Sequence, residues 1–344
     1  MRHGLLFIGA GATLSEMVEV ARAAEDGGWD SVAMVEAYRS AAVPLAALAL
    51  GTSRIGIGSF IMNAYGRSPF LTGLTAIDLD EVTGGRLTLG IGSGNRHINE
   101  EFQGTAKARP LRKLTEYVEI VQRMTRVPEA GAEVVYDGEV HSIRWTAMNK
   151  PVRPSIPVVL AAVFPGMVKA AATVADGVGL GVLLSPEYIR EVIRPAALAA
   201  AGEAGRDPGV LTFPMAALTA VDEDEEYARN LVRRTICSFF HPIPHSYYDY
   251  LLREQGYSKV ADACSRYAPI GQPERAMEAM DDELVDRLAF SGTPETVHKR
   301  VAQYADVIDE ALYLNVSAPR DDGADSAGVA PFRQLLRVPS LSGT

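Results

Sequence analysis

The chain is short of cysteine, of long apolar runs and of positive charge, and each shortage removes a class of protein. Its two cysteines, Cys237 and Cys264, have neither metal nor redox spacing, which excludes a disulfide scaffold and a thiolate metal site. Thiols this sparse point to the cytoplasm. No apolar run approaches the roughly 20 residues that span a bilayer, and no export signal opens the chain, so no membrane partner is expected. Lysine and arginine number 33 against 43 acids, a formal charge of −10, which argues against a nucleic-acid surface. No His/Asp/Glu cluster has metal-ligand spacing, so no metal is expected. No Gly-x-Ser-x-Gly or Cys/His pairing offers a nucleophile. With no chemistry borne by side chains in these forms, a cofactor acting on a small-molecule substrate is the expectation.

What is present is regular. Apolar segments at 5–9, 31–35, 55–61, 87–91, 156–162, 177–184, 210–221 and 311–316 alternate with helical segments at intervals of roughly 25–30 residues, the pattern of βαβ units. Eight such strands, each but the last followed by a helix, give an α/β protein with a (β/α)8 TIM barrel, in one domain over 1–317. A hairpin is expected where Asp137-Gly138 interrupts 134–141. Residues 239–290 break the alternation after strand seven with an aromatic-rich helical insertion, read as a lid or as packing. The Gly/Asp/Ser/Pro-rich residues 318–344 read as a loosely held tail.

The stretch around which the rest is arranged is 85–104. An apolar strand there ends in Gly90, Gly92 and Gly94 and opens into Asn95, Arg96, His97 and Asn99. Glycine removes the Cβ that would keep a ligand off the main chain, although a bare glycine-rich turn reads the same way. In a barrel of this type ligands meet the C-terminal strand ends. Those ends are small or apolar apart from Glu36, Asn63 and 93–99, which suits a flat aromatic cofactor.

Glu36-Ala37-Tyr38, Ser53-Arg-Ile-Gly-Ile-Gly, Gly66-Arg-Ser-Pro69, the run 79–95, Arg109-Pro-Leu-Arg112, Tyr136-Asp-Gly-Glu139, Ala175-Asp-Gly-Val178 and Ser291-Gly-Thr-Pro-Glu295 occur in an order that resembles the luciferase-like superfamily. Within it the chain is most similar to the coenzyme F420-dependent oxidoreductases, including the methylenetetrahydromethanopterin reductase group. The resemblance implies a deazaflavin at the strand ends, with hydride passing between its C5 and a substrate carbon. It implies a non-proline cis peptide at Phe60–Ile61 behind the ring, with Asn63 close by. The cofactor's phosphodiester would lie against the main chain of Ser93, Gly94, Asn95 and Asn99 and of Ala161, Ala162, Val163, Phe164, Pro165, Gly166 and Met167. A homodimer is implied too. Two readings stand beside this one: an FMN-dependent monooxygenase of the same superfamily, and a barrel that binds flavin without turnover.

Three positions depart from the family pattern. Ala37 stands where several relatives have His after the strand-two acid. Asn95 replaces the proton-shuttling Glu of the sugar-phosphate and alcohol dehydrogenases, and Asn cannot exchange a proton in acid–base catalysis. Phe164 replaces a frequent Gly beside the phosphate. His97 or Glu36 is then left to protonate the substrate. Lys107, Arg109, Arg112 and Lys113 form a basic patch that either meets the cofactor's anionic tail or faces water.

Overall fold

The barrel units couple a strand apolar on both faces to a helix, and several of these helices are fixed by a side-chain cap at the first turn. Thr13 caps the helix Leu14–Asp26 in a capping box with Glu16, Ser68 caps Pro69–Thr83, and Thr293 caps Pro294–Ala302. The computed structural model describes residues 1–105, 109–317 and 330–338. Its strands are β1 (Arg2–Phe7), β2 (Ser31–Met34), β3 (Gly56–Asn63), β4 (Leu87–Gly92), β5 (Glu133–Asp137), β6 (Ser142–Thr146), β7 (Val158–Ala162), β8 (Gly177–Leu180), β9 (Pro214–Val221), β10 (Phe290–Gly292) and β11 (Glu310–Asn315).

Eight of these close a parallel barrel in the order β9-β11-β1-β2-β3-β4-β7-β8, with β8 returning to β9 through Leu180 opposite Met215. The (β/α)8 expectation therefore holds. Alternation along each strand separates two layers. Leu5, Phe7, Val32, Met34, Leu87, Leu89 and Ile91 face the helices. Leu6, Ala33, Phe60, Val159, Ala216, Leu218 and Leu312 belong to a second apolar cluster that runs on into the insertion helices.

Three features were not legible beforehand. The strand β10 pairs with the second half of β9, beside the place where short β8 stops. Strand β1 begins at Arg2, because Arg2 binds Glu310 and the buried His3 ring bonds Tyr313 at 2.8 Å across the barrel seam. Within the expected tail, Ala330–Leu335 is helical, Phe332 meets Phe7 with ring centroids 5.1 Å apart, and Leu335 and Val338 are buried against the outer layer. Burial of those apolar side chains is what holds this segment to the barrel. The hairpin β5–β6 is present, but its turn spans 138–141 and closes on the buried Glu116 carboxylate, which accepts the N–H groups of Glu139, Val140 and His141.

A second carboxylate pins the approach to β3. Glu25 accepts the N–H groups of Ser53, Arg54 and Ile55 at 2.9, 2.5 and 2.8 Å. Burial pushes its carboxyl up, but these three donors outweigh it and hold it at about 2. A carboxyl depressed on folding stabilises above its unfolded value of 4.5 and loses that contribution as pH falls toward 2. Glu25→Gln is expected to lower stability by about 1 kcal/mol at pH 7, a figure discounted for solvent screening. The variant should also flatten the urea-midpoint-versus-pH curve between those two values.

Candidate active site

The mouth of the barrel is built from the ends of β3, β4 and β7 and from the insertion. At the end of β3 the register against β4 shifts between Ser59 and Met62, and the Phe60–Ile61 peptide is cis, where the family resemblance put it. Ser59 compensates for the interrupted ladder: its hydroxyl donates to the Gly90 carbonyl at 2.8 Å and accepts the Gly90 N–H at 2.9 Å.

The glycines of β4 answer to this bulge. A Cβ on Gly90 would lie 2.2 Å from the Ser59 carbonyl oxygen, and one on Gly92 would lie 2.8 Å from Ile61 Cγ1. Gly90 and Gly92 thus make room for β3, and the expectation that they open the main chain to a ligand is corrected. Gly94 is left-handed at φ 57°, with Asn63 Nδ2 2.3 Å from where its Cβ would be.

Two expected cofactor contacts lie beneath the surface. Asn63 and Asn99 are 1% and 0% exposed. Asn63 Nδ2 donates to Asn99 Oδ1, Asn99 Nδ2 donates to the Ser93 carbonyl, and Asn63 Oδ1 accepts the Tyr65 N–H. With their amides spent in this way the pair fixes the loop that a ligand would touch. Asn95 Oδ1 accepts the Ile98 N–H at 2.7 Å, so it caps the turn that carries His97.

Glu36 sits at the end of β2 with both oxygens engaged. It accepts the N–H groups of Asn63 at 2.9 Å and Ala41 at 3.3 Å, and pairs with Arg67 at 3.4 Å. These contacts suit a positioning carboxylate and leave poor geometry for a proton donor. His97 is different. Its side chain is 38% exposed, its closest carboxylate is Glu101 at 3.7 Å, and its Nδ1 has no hydrogen-bond partner.

Past β7, Ala162, Val163 and Met167 pack into the helix-facing layer, so they can offer a ligand only main chain. Ala161 lies on the inner side, its Cβ 3.2 Å from where a Cβ on Gly92 would stand. Phe164 caps the helix Pro165–Val174 with its carbonyl, Pro165 opens it, and Gly166 follows at its first turn. Pro165 has no N–H, and Met167 and Val168 donate theirs to the Phe164 carbonyl at 2.9 and 3.0 Å, so the Gly166 N–H is the first-turn donor left to meet an anion. The Phe164 ring meets Tyr250 at 4.8 Å and, edge-on, Tyr247 at 5.4 Å. Tyr247 sits on the insertion helix Ser246–Glu254, and its hydroxyl lies 2.9 Å from Ser93 Oγ and 3.2 Å from the Gly94 carbonyl. The aromatic run 239–250 was visible in the sequence, but no periodicity tells which tyrosine reaches a loop 153 residues away.

Of the basic patch, Arg109 pairs with Glu139, Arg112 with Glu116 and Glu139, and the Lys113 ammonium sits 4.1 Å over the Tyr65 ring. Lys107 lies outside the described residues. Among the described residues no helix is long and apolar enough to cross a membrane, and no three His, Cys, Asp or Glu side chains are placed to hold a metal ion.

A parallel barrel with a bulged third strand, a glycine-rich fourth strand and an insertion after the seventh defines a class, and sequence comparison names it. The profile of the luciferase-like monooxygenase family matches residues 3–310, and the chain belongs to that family. It is 29% identical over 305 residues to a 5,10-methylenetetrahydromethanopterin reductase of Archaeoglobus fulgidus, covering 88% of this chain and 89% of that protein. Among solved structures, it superposes on a coenzyme F420-dependent tetrahydromethanopterin reductase from Methanopyrus kandleri with a TM-score of 0.78. That match has 22% identity and covers 92% of this chain and 94% of the other. An F420-dependent secondary alcohol dehydrogenase in complex with an F420-acetone adduct superposes with a TM-score of 0.76 at 18% identity, over 98% and 97% of the two chains.

Proposed function

We propose that this chain is a coenzyme F420-dependent oxidoreductase that moves a hydride between the deazaflavin C5 and a small organic substrate. The observation that carries the reading is the β3 bulge, where Phe60 and Ile61 form an apolar step beside a loop of hydroxyl and main-chain donors at Ser93–Asn95. Such a site fits a flat ring with an anionic tail, and the relation to a methylenetetrahydromethanopterin reductase supports the deazaflavin. When bound, the deazaflavin supplies the two-electron chemistry. Phe60 and Ile61 back the ring, and Ser93, Gly94 and the Gly166 N–H hold the tail. Leu6, Ala33, Val182 and Leu312 keep water from the barrel interior. His97, through its exposed edge, exchanges the proton that accompanies the hydride.

Calorimetric titration with F420 and with FMN tests this, together with oxygen uptake in the presence of reduced FMN. F420 binding without FMN-dependent oxygen uptake is expected. Oxygen uptake on reduced FMN would make the protein a monooxygenase, and F420 binding with no turnover of any acceptor would make it a binding barrel. Failure of both cofactors to bind would end the reading.

The reading includes a cytoplasmic homodimer. The helix Ala42–Gly51 has no polar side chain, and its Val43 and Leu50 are exposed beside Leu71 and Val82 of Pro69–Thr83, an apolar surface that a second copy would cover. A solution mass of twice 36.9 kDa is expected by light scattering, and Leu50→Glu should return it to that value.

A further inference from the structure

The insertion does more than cover the barrel. The Tyr247 and Ser93 hydroxyls lie 2.9 Å apart, and both also lie 3.2 Å from the Gly94 carbonyl. Each hydroxyl carries one proton, and each lies within reach of the other hydroxyl and of that one carbonyl. Both side chains are partly exposed, and the Phe164 ring fixes the Tyr247 ring from its edge. An anion arriving at this loop would therefore meet two adjacent hydroxyl donors, one from β4 and one from a helix far along the chain. Charge-assisted bonds of this kind are roughly twice as strong as the neutral bonds they would replace.

We propose that Tyr247 is a binding residue of the cofactor site, and that its hydroxyl and that of Ser93 form a paired donor for the phosphate group of the cofactor. This rests on the oxidoreductase reading above. It makes the insertion part of the site, because the helix Ser246–Glu254, already in contact with the loop after β4, supplies one of the two donors. The substitution Tyr247→Phe removes the donor and keeps the ring that packs against Phe164.

The test compares ligands with and without the phosphate. F420 is set against the deazaflavin that carries only the ribityl chain, and FMN against riboflavin, each titrated by fluorescence into the full chain. A hydrogen bond to a charged group predicts about a 10-fold weaker dissociation constant for phosphate-bearing ligands in Tyr247→Phe, with little change for the phosphate-free ones. Ser93→Ala should give a similar split, and the double variant should lose less than the two single losses combined, because both hydroxyls serve one group. Equal losses for both ligand types would mean that Tyr247 acts only through packing and would overturn the proposal. Tighter binding of both would also overturn it, since the hydroxyl would then be a latch that ligands must open. If the unaltered chain binds none of the four ligands, the oxidoreductase reading itself fails.

Discussion

Gly90→Ala is expected to cost about 3 kcal/mol of stability, whereas Gly181→Ala, just past the end of β8, should stay within about 1 kcal/mol of the parent. The difference comes from what a methyl group would meet. At position 90 it lies 2.2 Å from the Ser59 carbonyl oxygen, a main-chain atom that no side-chain rotation can move. At position 181 nothing lies within 4 Å. Relief at position 90 requires β4 to withdraw or the bulge to straighten. Either movement breaks the two bonds of 2.8 and 2.9 Å that tie the Ser59 hydroxyl to Gly90. Ile61 rests on the same strand and shifts with it. Cofactor affinity should therefore fall at least about 10-fold in any Gly90→Ala protein that folds, since a small displacement of a binding wall is costly. Urea unfolding followed by far-ultraviolet dichroism checks the first part, and fluorescence titration checks the second. A Gly90→Ala protein with parental stability would show that β4 has slack there and would remove the bulge from the account.

The glycines of β4 also mark how far the sequence could be read. Alternation of apolar strands with helices was enough for the barrel, because the barrel strands are largely buried on both faces and several helices carry their own caps, as Thr13 and Ser68 do. The position of the cis peptide came from family resemblance and not from propensity. The purpose of Gly90 and Gly92 was misread, because a glycine looks the same whether it admits a ligand or a neighbouring strand. Asn63 and Asn99 were read as ligand contacts for a similar reason: their burial follows from a bond between two loops 36 residues apart, which no local pattern encodes. The short strand β10 and the helix Ala330–Leu335 were missed because each is stabilised by tertiary pairing, with β9 in one case and the outer layer in the other.

Separate substitutions at Glu36 and His97 should have opposite consequences. Glu36→Ala is expected to destabilise the fold by about 3 kcal/mol and to weaken cofactor binding at every pH. It leaves Arg67, whose side chain is 16% exposed, without its carboxylate, and it frees the Asn63 N–H at the end of the bulged strand. His97→Ala removes a half-exposed ring whose nearest charged neighbour is 3.7 Å away, so stability should change by no more than about 0.5 kcal/mol. Its effect should fall on turnover: loss of a general acid or base lowers the rate about 100-fold or more and removes the corresponding limb of the pH profile. The measurements are urea midpoints for both variants and rates of F420 oxidation with any acceptor that the unaltered chain reduces. Unchanged turnover and an unchanged pH profile in His97→Ala would exclude the imidazole. Parental stability in Glu36→Ala, combined with a lost pH limb, would return the proton to Glu36, because a carboxylate that held no structure would be free to exchange it.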